Sequence, residues 1–229
     1  MGTLARRDLA FHVTRTAIGA GLMFLGGALG RPWLALVGGV VLHLASFTFA
    51  HDVGHGALGV PRKLNEWLVA LVALPMLVPG HTNRIMHQRH HARPLTLDDV
   101  EGMPALVPFW QAVLLGPMSA AQYRLEALKR VNARERQWQL GETAGTLLLA
   151  LWALQTHTIT GAAFVVANIF MQLTAAAWAS HLPHRPPKVF MTIARHLLWT
   201  KSALILSFVF HQAHHAHPKV PCAQLAHTA

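Results

Sequence analysis

The sequence predicts an all-α integral membrane protein, with four transmembrane helices in two hairpins and a cytoplasmic histidine-rich cap. Three observations carry this. The chain of 229 residues is 53% hydrophobic and only 12% charged, with a mean hydropathy of +0.35, too apolar for an ordinary soluble domain. Its charge-free stretches come in adjacent pairs separated by short turns. Its basic residues, 19 Lys and Arg against 9 Asp and Glu, fall almost entirely on one side of the membrane that those stretches define.

The first pair is residues 10–30 and 33–50, joined at Arg31-Pro32, where a charge and a proline mark a tight turn. The second pair is residues 143–158 and 161–180. From Thr143 to Ser180 there is no Lys, Arg, Asp or Glu, and the polar turn from Gln155 to Gly161 divides the stretch. A helix needs roughly 20 apolar residues to cross a bilayer, so the third span is somewhat short. Lys and Arg accumulate on the cytoplasmic side. Arg6, Arg7 and Arg15 open the first span, a large group lies between Asp52 and Glu142, and Arg185, Lys188, Arg195, Lys201 and Lys219 follow the fourth. Arg31 is the sole exception. This places both termini in the cytoplasm of a multi-pass inner-membrane protein, with residues 51–142 and 181–229 as the cap of a single domain, 1–229.

Two further apolar stretches, Trp67 to Gly80 and Met103 to Gln122, are broken by prolines and read as interfacial or re-entrant segments. Residues 124–142 read as one charged amphipathic helix. The apolar run after Arg6 and Arg7 has no small-residue cleavage site and reads as a retained helix. The single cysteine, Cys222, closes no internal disulfide and offers no Cys-ligated zinc or iron–sulfur site from this chain alone.

A metal would therefore be held by histidine, and the chain has 17. Three groups stand out at or beyond the cytoplasmic face: His51 and His55 at the end of the second span, His87, His90 and His91 in the central loop, and His211, His214 and His215 near the carboxyl end. Residues at i, i+3 and i+4 share one face of a helix, so each group aims its imidazoles at one locus. Eight neutral imidazoles suit two first-row metal ions, and the lack of thiolate disfavours electron-transfer copper. Two irons that activate O2 are the expected centre. Asp52, Asp98 and Asp99 are candidates to hold the far nitrogen of a ligand histidine. For Glu101 a salt bridge or helix-start role is expected. His43 is expected to be a hydrogen-bonded core residue, His12, His196 and His227 interfacial or solvated, and His81 and His217 orienting groups.

These residues resemble the membrane fatty acid desaturase superfamily in the order of the three boxes and in their flanks, HDVGHGAL, RPLTLDDVEG and HPKVPCAQL, over His51 to Leu225. The run His181-Leu182-Pro183-His184-Arg185-Pro186 and the short chain are also similar to the carotenoid ring ketolase branch. The resemblance implies a mushroom-shaped four-helix protein with a cytoplasmic cap, two non-haem irons, and O2-dependent attack on an unactivated C–H bond of a lipid. It also implies a further histidine ligand after the fourth span, His181 or His184. The chain is much shorter than most acyl desaturases. Three residues separate the histidines of the first box, as in ketolases and several desaturases.

Such chemistry draws two electrons from outside. The chain has no Gly-rich dinucleotide fingerprint and no haem- or cluster-binding cysteines. A separate acidic donor, ferredoxin-like or cytochrome b5-like, is expected on the basic face. Acyl-lipid desaturation is the leading expectation, with carotenoid ketolation or hydroxylation the alternative. A histidine-rich metal carrier would place ionisable groups along a mid-bilayer path, whereas His43 stands alone well inside a span. A bis-histidine haem carrier would need ligands facing each other from two spans. Nucleic-acid binding does not fit the apolar spans.

Overall fold

The computed structural model describes residues 3–228. All of the regular elements among them are helical: α1 (Thr3–Ala28), α2 (Pro32–Gly54), α3 (Arg62–Ala73), α4 (Gly80–Ala92), α5 (Phe109–Leu114), α6 (Gly116–Lys129), α7 (Ala133–Gln155), α8 (Ile159–Leu173), α9 (Leu182–His184), α10 (Lys188–His196), α11 (Ala203–Val209) and α12 (His211–Ala216), with short 3-10 turns and one π-helical segment, Ala176–His181. By its contacts the chain divides into two compact units. One runs to Asn83 and resumes at Val131–Met171. The other comprises Arg84–Arg130 and the chain from Gln172 onward.

In the first unit α1 and α2 form the expected hairpin. The turn is closed by the Arg31 N–H donating to the Gly26 carbonyl at 2.8 Å, and Pro32 starts α2, where its missing N–H costs nothing. The two helices touch backbone to backbone. A Cβ on Gly26 would strike the Ala35 backbone, and one on Gly38 would strike that of Met23. Small residues at such crossings let membrane helices approach closely. Met23, Leu42, Ala153, Phe164 and Val165 build one core here, and Phe49, Val53, Leu58, Val69 and Val72 another. The outer faces are equally apolar. Phe24, Trp33, Leu147, Leu148, Leu151, Trp152, Ile169 and Phe170 are all exposed, a belt of large side chains that suits lipid rather than water.

Two helices, Arg6–Ala28 and Pro32–Gly54, are each long and apolar enough to cross a bilayer. The number rises to four if two broken pairs, Arg62–Met76 with Gly80–Ala92 and Ile159–Leu173 with Ala176–His184, each count as one span. The expected third span is the second half of a longer helix. α7 begins at Ala133 with a capping box, in which the Asn132 side chain accepts from the Glu135 N–H and Glu135 accepts from the Asn132 N–H. Its charge-free part runs only from Thr143 to Gln155. The stretch 124–142 is correspondingly not one helix: α6 ends at Lys129, and Asn132 starts α7 anew. The expected fourth span is likewise two pieces, α8 and the π-helical segment. The proline-rich stretches are broken as anticipated, the first at Leu74–Met76 and a left-handed Leu77, the second into Met103–Leu106, α5 and α6.

Two buried histidines of this unit, His43 and His81, are paired with polar side chains. His43 donates from Nδ1 to Asn168 Oδ1 at 2.7 Å, the core hydrogen bond anticipated for it. His81 orients no boxed histidine. Its Nδ1 meets Glu142, its Nε2 lies 3.0 Å from Glu66 Oε2, and its ring stacks on Trp138.

In the second unit α6 starts at Gly116, where a Cβ would strike the Leu173 carbonyl. α10 packs on α11 through Phe190 and Phe208, ring centroids 5.5 Å apart. The 3-10 turn Cys222–His227 covers α11 and buries Cys222 and Leu225 completely.

Candidate metal centre

The helical spacing of the histidines places their rings as the sequence implied. His87, His90 and His91 lie in the last two turns of α4, and His211, His214 and His215 make up half of α12. His184 ends α9, directly after the π-helical segment. Within the second unit these seven imidazoles form one array. The Nε2 atoms of His90 and His184 are 3.0 Å apart, those of His184 and His211 3.2 Å, and those of His211 and His215 3.1 Å. One nitrogen from each of these four residues lies within 4.8 Å of all the others. Beside them the Nε2 atoms of His87 and His91 are 3.2 Å apart, and those of His91 and His214 2.8 Å. The rings of His91 and His215 stack at 4.2 Å.

Nitrogen pairs at these separations fit ligands of a common cation. With a metal–nitrogen bond of about 2.1 Å, two ligands at a right angle lie about 3.0 Å apart, and at the tetrahedral angle about 3.4 Å. The tautomers agree. A carboxylate only accepts, so His90, 2.7 Å from Asp99 Oδ2 through Nδ1, carries its proton there when neutral and keeps its lone pair on Nε2. His87 is fixed in the same sense by Glu101 Oε1, 2.5 Å from its Nδ1. Burial, then the neighbouring His90 and His215, lowers the pKa of His184 to about 4. Burial and the surrounding imidazoles push His211 far below the usual range. Both are therefore held neutral, as metal ligation requires. Burial opposes protonation of His90, but its hydrogen bond to Asp99 and the charge of Glu101 outweigh it and raise the value.

The carboxylates divide differently from the sequence reading. Asp99 is buried and, besides His90, accepts from the Leu95 and Gly102 N–H groups, closing the loop after α4 around that histidine. Glu101, expected to be a salt bridge or a helix-start charge, instead joins His87 to the Tyr123 hydroxyl, which donates to its Oε2 at 3.1 Å. Burial raises the pKa of Glu101, and burial with the Glu101 charge raises that of Tyr123 well above its usual value. A count of residues from the box could not reveal this, because Tyr123 comes from α6. Asp98 faces the surface with Thr96, Arg89 and Arg93. His184 joins the array. His181 is buried elsewhere, its Nδ1 donating to the Pro104 carbonyl at 3.0 Å and its ring against Phe109.

In the first unit His51 and His55 lie one turn apart at the end of α2, ring centroids 4.9 Å apart, with Asp52 Oδ1 3.2 Å from His51 Nδ1. His12, expected at an interface or in solvent, is fully buried and bonded to Asp52.

The family sequence model described as fatty acid desaturase matches residues 27–229. The chain belongs to the fatty acid desaturase family. Two curated relatives come from Synechocystis sp. One is an sn-1 acyl-lipid omega-3 desaturase (ferredoxin), 42% identical over 55 residues, 24% of this chain and 15% of the relative. The other is an sn-1 oleoyl-lipid 12-desaturase, 25% identical over 121 residues, 46% of this chain and 33% of the relative. The alignments thus span a third or less of these relatives' lengths. No solved structure matches the chain. Membership of the desaturase family implies iron, and the imidazole array is the group of residues suited to hold it.

Proposed function

We propose that this protein is an O2-dependent, non-haem di-iron oxidoreductase that desaturates lipid acyl chains. The observation that carries the reading is the set of His90, His184, His211 and His215 nitrogens within 4.8 Å of one another, in a chain of the fatty acid desaturase family. The ligands are assigned as His51, His55, His87, His90, His91, His184, His211, His214 and His215. His51 and His55 enter on their spacing and on the family pattern, and His184 is preferred to His181 because it stands in the array. Asp52, Asp99 and Glu101 hold the far nitrogens of ligand histidines.

Bound iron would supply the oxidising power to break an unactivated C–H bond, which side chains alone do not have. The chain's own carboxylates orient the imidazoles of His87 and His90, and burial holds His184 and His211 neutral. The overall reaction takes two hydrogens from adjacent carbons of the acyl chain. With O2, two electrons and two protons it yields one double bond and two waters. The electrons come from a separate donor. The ferredoxin named for one relative and the cations Arg124, Lys129, Arg130, Arg134 and Arg136 favour an acidic ferredoxin-like partner. The membrane arrangement proposed is four spans in two hairpins, with the metal centre and both termini on the cytoplasmic side.

Expression in a bacterial host that makes beta-carotene, with a ferredoxin system and a His90→Ala control, tests the reading by mass spectrometry of lipids and pigments. New acyl double bonds absent from the control are expected. Oxygenated pigment with unchanged acyl chains would move the substrate to carotenoids. Products identical to the His90→Ala control would overturn the function.

A further inference from the structure

His12 lies in α1, forty residues before Asp52, yet it is completely buried, and so is Asp52. Asp52 lies between two imidazoles. Its Oδ2 is 2.9 Å from His12 Nε2 and its Oδ1 is 3.2 Å from His51 Nδ1. A carboxylate offers no proton, so both rings donate to it. That fixes the proton of neutral His51 on Nδ1 and its lone pair on Nε2, the nitrogen a metal would take. His12 in turn is locked. Its ring stacks on Phe49 of α2, with centroids 5.0 Å apart and planes 6° from parallel, and its Nδ1 is buried with no hydrogen-bond partner. A buried histidine nitrogen left without a partner is costly, so the ring is held there by its bond to Asp52 and its packing. Thr48, one turn before Asp52, accepts from Arg15 of α1 at 3.3 Å, adding a second polar tie between the same two helices.

We propose that His12 is a positioning residue for the metal centre, acting through Asp52 to set the tautomer and ring angle of His51. The inference rests on His51 being an iron ligand. It assigns α1 a part in the chemistry, although α1 carries none of the three boxes. Loss of His12 would remove the hydrogen bond that ties Asp52 Oδ2 to α1 while Oδ1 faces His51.

The test uses the full chain in lipid nanodiscs and an isosteric pair of variants. His12→Gln keeps a donor near the position of Nε2, and His12→Met removes it at similar size. Iron affinity is measured by chelator competition, the metal environment by Mössbauer spectroscopy on iron-57-loaded protein, and turnover as kcat and KM separately. Loss of such an orienting partner typically costs about 10–100-fold in metal affinity or activity. His12→Met is expected to show a drop of about tenfold in iron affinity or kcat with KM unchanged and an altered spectrum, and His12→Gln to recover most of it. Wild-type affinity, spectrum and kcat in a folded His12→Met protein would overturn the inference while leaving the proposed function intact. A wild-type chain that takes up no iron would overturn both. If His12→Met fails to fold, nitrogen-15 histidine shifts of zinc-loaded wild-type protein decide the matter. A proton on His12 Nε2, donated to Asp52, supports the assignment, and a His12 protonated on Nδ1 alone overturns it.

Discussion

A carboxylate behind an imidazole has a directional effect, because it accepts at one ring nitrogen and leaves the lone pair on the other. Asp99 does this for His90, and Glu101 for His87. Glu101→Leu should therefore lower iron affinity by about 10–100-fold, measured by chelator competition. Tyr123→Phe, which removes only the hydroxyl donor to Glu101, should cost about 1 kcal/mol in the same measurement. The two histidines after the fourth apolar stretch separate cleanly. His184→Ala should lower the iron content per chain. His181→Ala should leave it near the wild-type value but lower the melting temperature, because it opens a buried site against Phe109 and Pro104. Iron analysis of both variants checks the assignment, and iron loss in His181→Ala alone would reverse it. Spacing could nominate the boxed histidines because helix geometry is regular. It could not separate His181 from His184, three residues apart on one turn, whose surroundings depend on Pro104 and His90 far away in sequence.

At the scale of the elements, the hairpin turns were legible because Arg31-Pro32 and the run Gln155 to Gly161 interrupt apolar sequence chemically. The start of α7 was also local chemistry, since Asn132 and Glu135 form a capping box, but reading 124–142 for charge alone concealed it. The π-helical segment Ala176–His181 had no signal in the residues that form it. There Ser180 donates to the Glu101 carbonyl at 2.5 Å, a tertiary contact invisible to periodicity. The α1–α2 contact depends on the absence of side chains at Gly26 and Gly38. Gly38→Val would push a branched side chain into the Met23 backbone. Overpacking of this kind costs about 1–3 kcal/mol or more, so a clear fall in the melting temperature in detergent is expected. Gly21→Val, at a site with open space around it, should change it little. A Gly38→Val melt equal to that of Gly21→Val would contradict the close approach.

For the molecule as a whole, fold class followed from composition, because 12% charge over 229 residues cannot cover a soluble surface, and the exposed belt of Phe24, Leu147, Leu148 and Trp152 agrees. Sidedness rests on a different term, the energetic and kinetic bias that keeps Lys and Arg in the cytoplasm, and it predicts a specific labelling pattern. The sole native cysteine, Cys222, is fully buried and should give little background. A cysteine placed at His157, in the turn between α7 and α8, or at Arg31, in the turn between α1 and α2, should react in intact cells with a maleimide that crosses the outer but not the inner membrane. A cysteine at exposed Lys188 or Lys129 should react only after the inner membrane is opened. Reaction of Lys188→Cys in intact cells would place the second unit outside the cytoplasm. A cytoplasmic ferredoxin could not then reach the iron, so this pattern would force a new donor as well as a new topology.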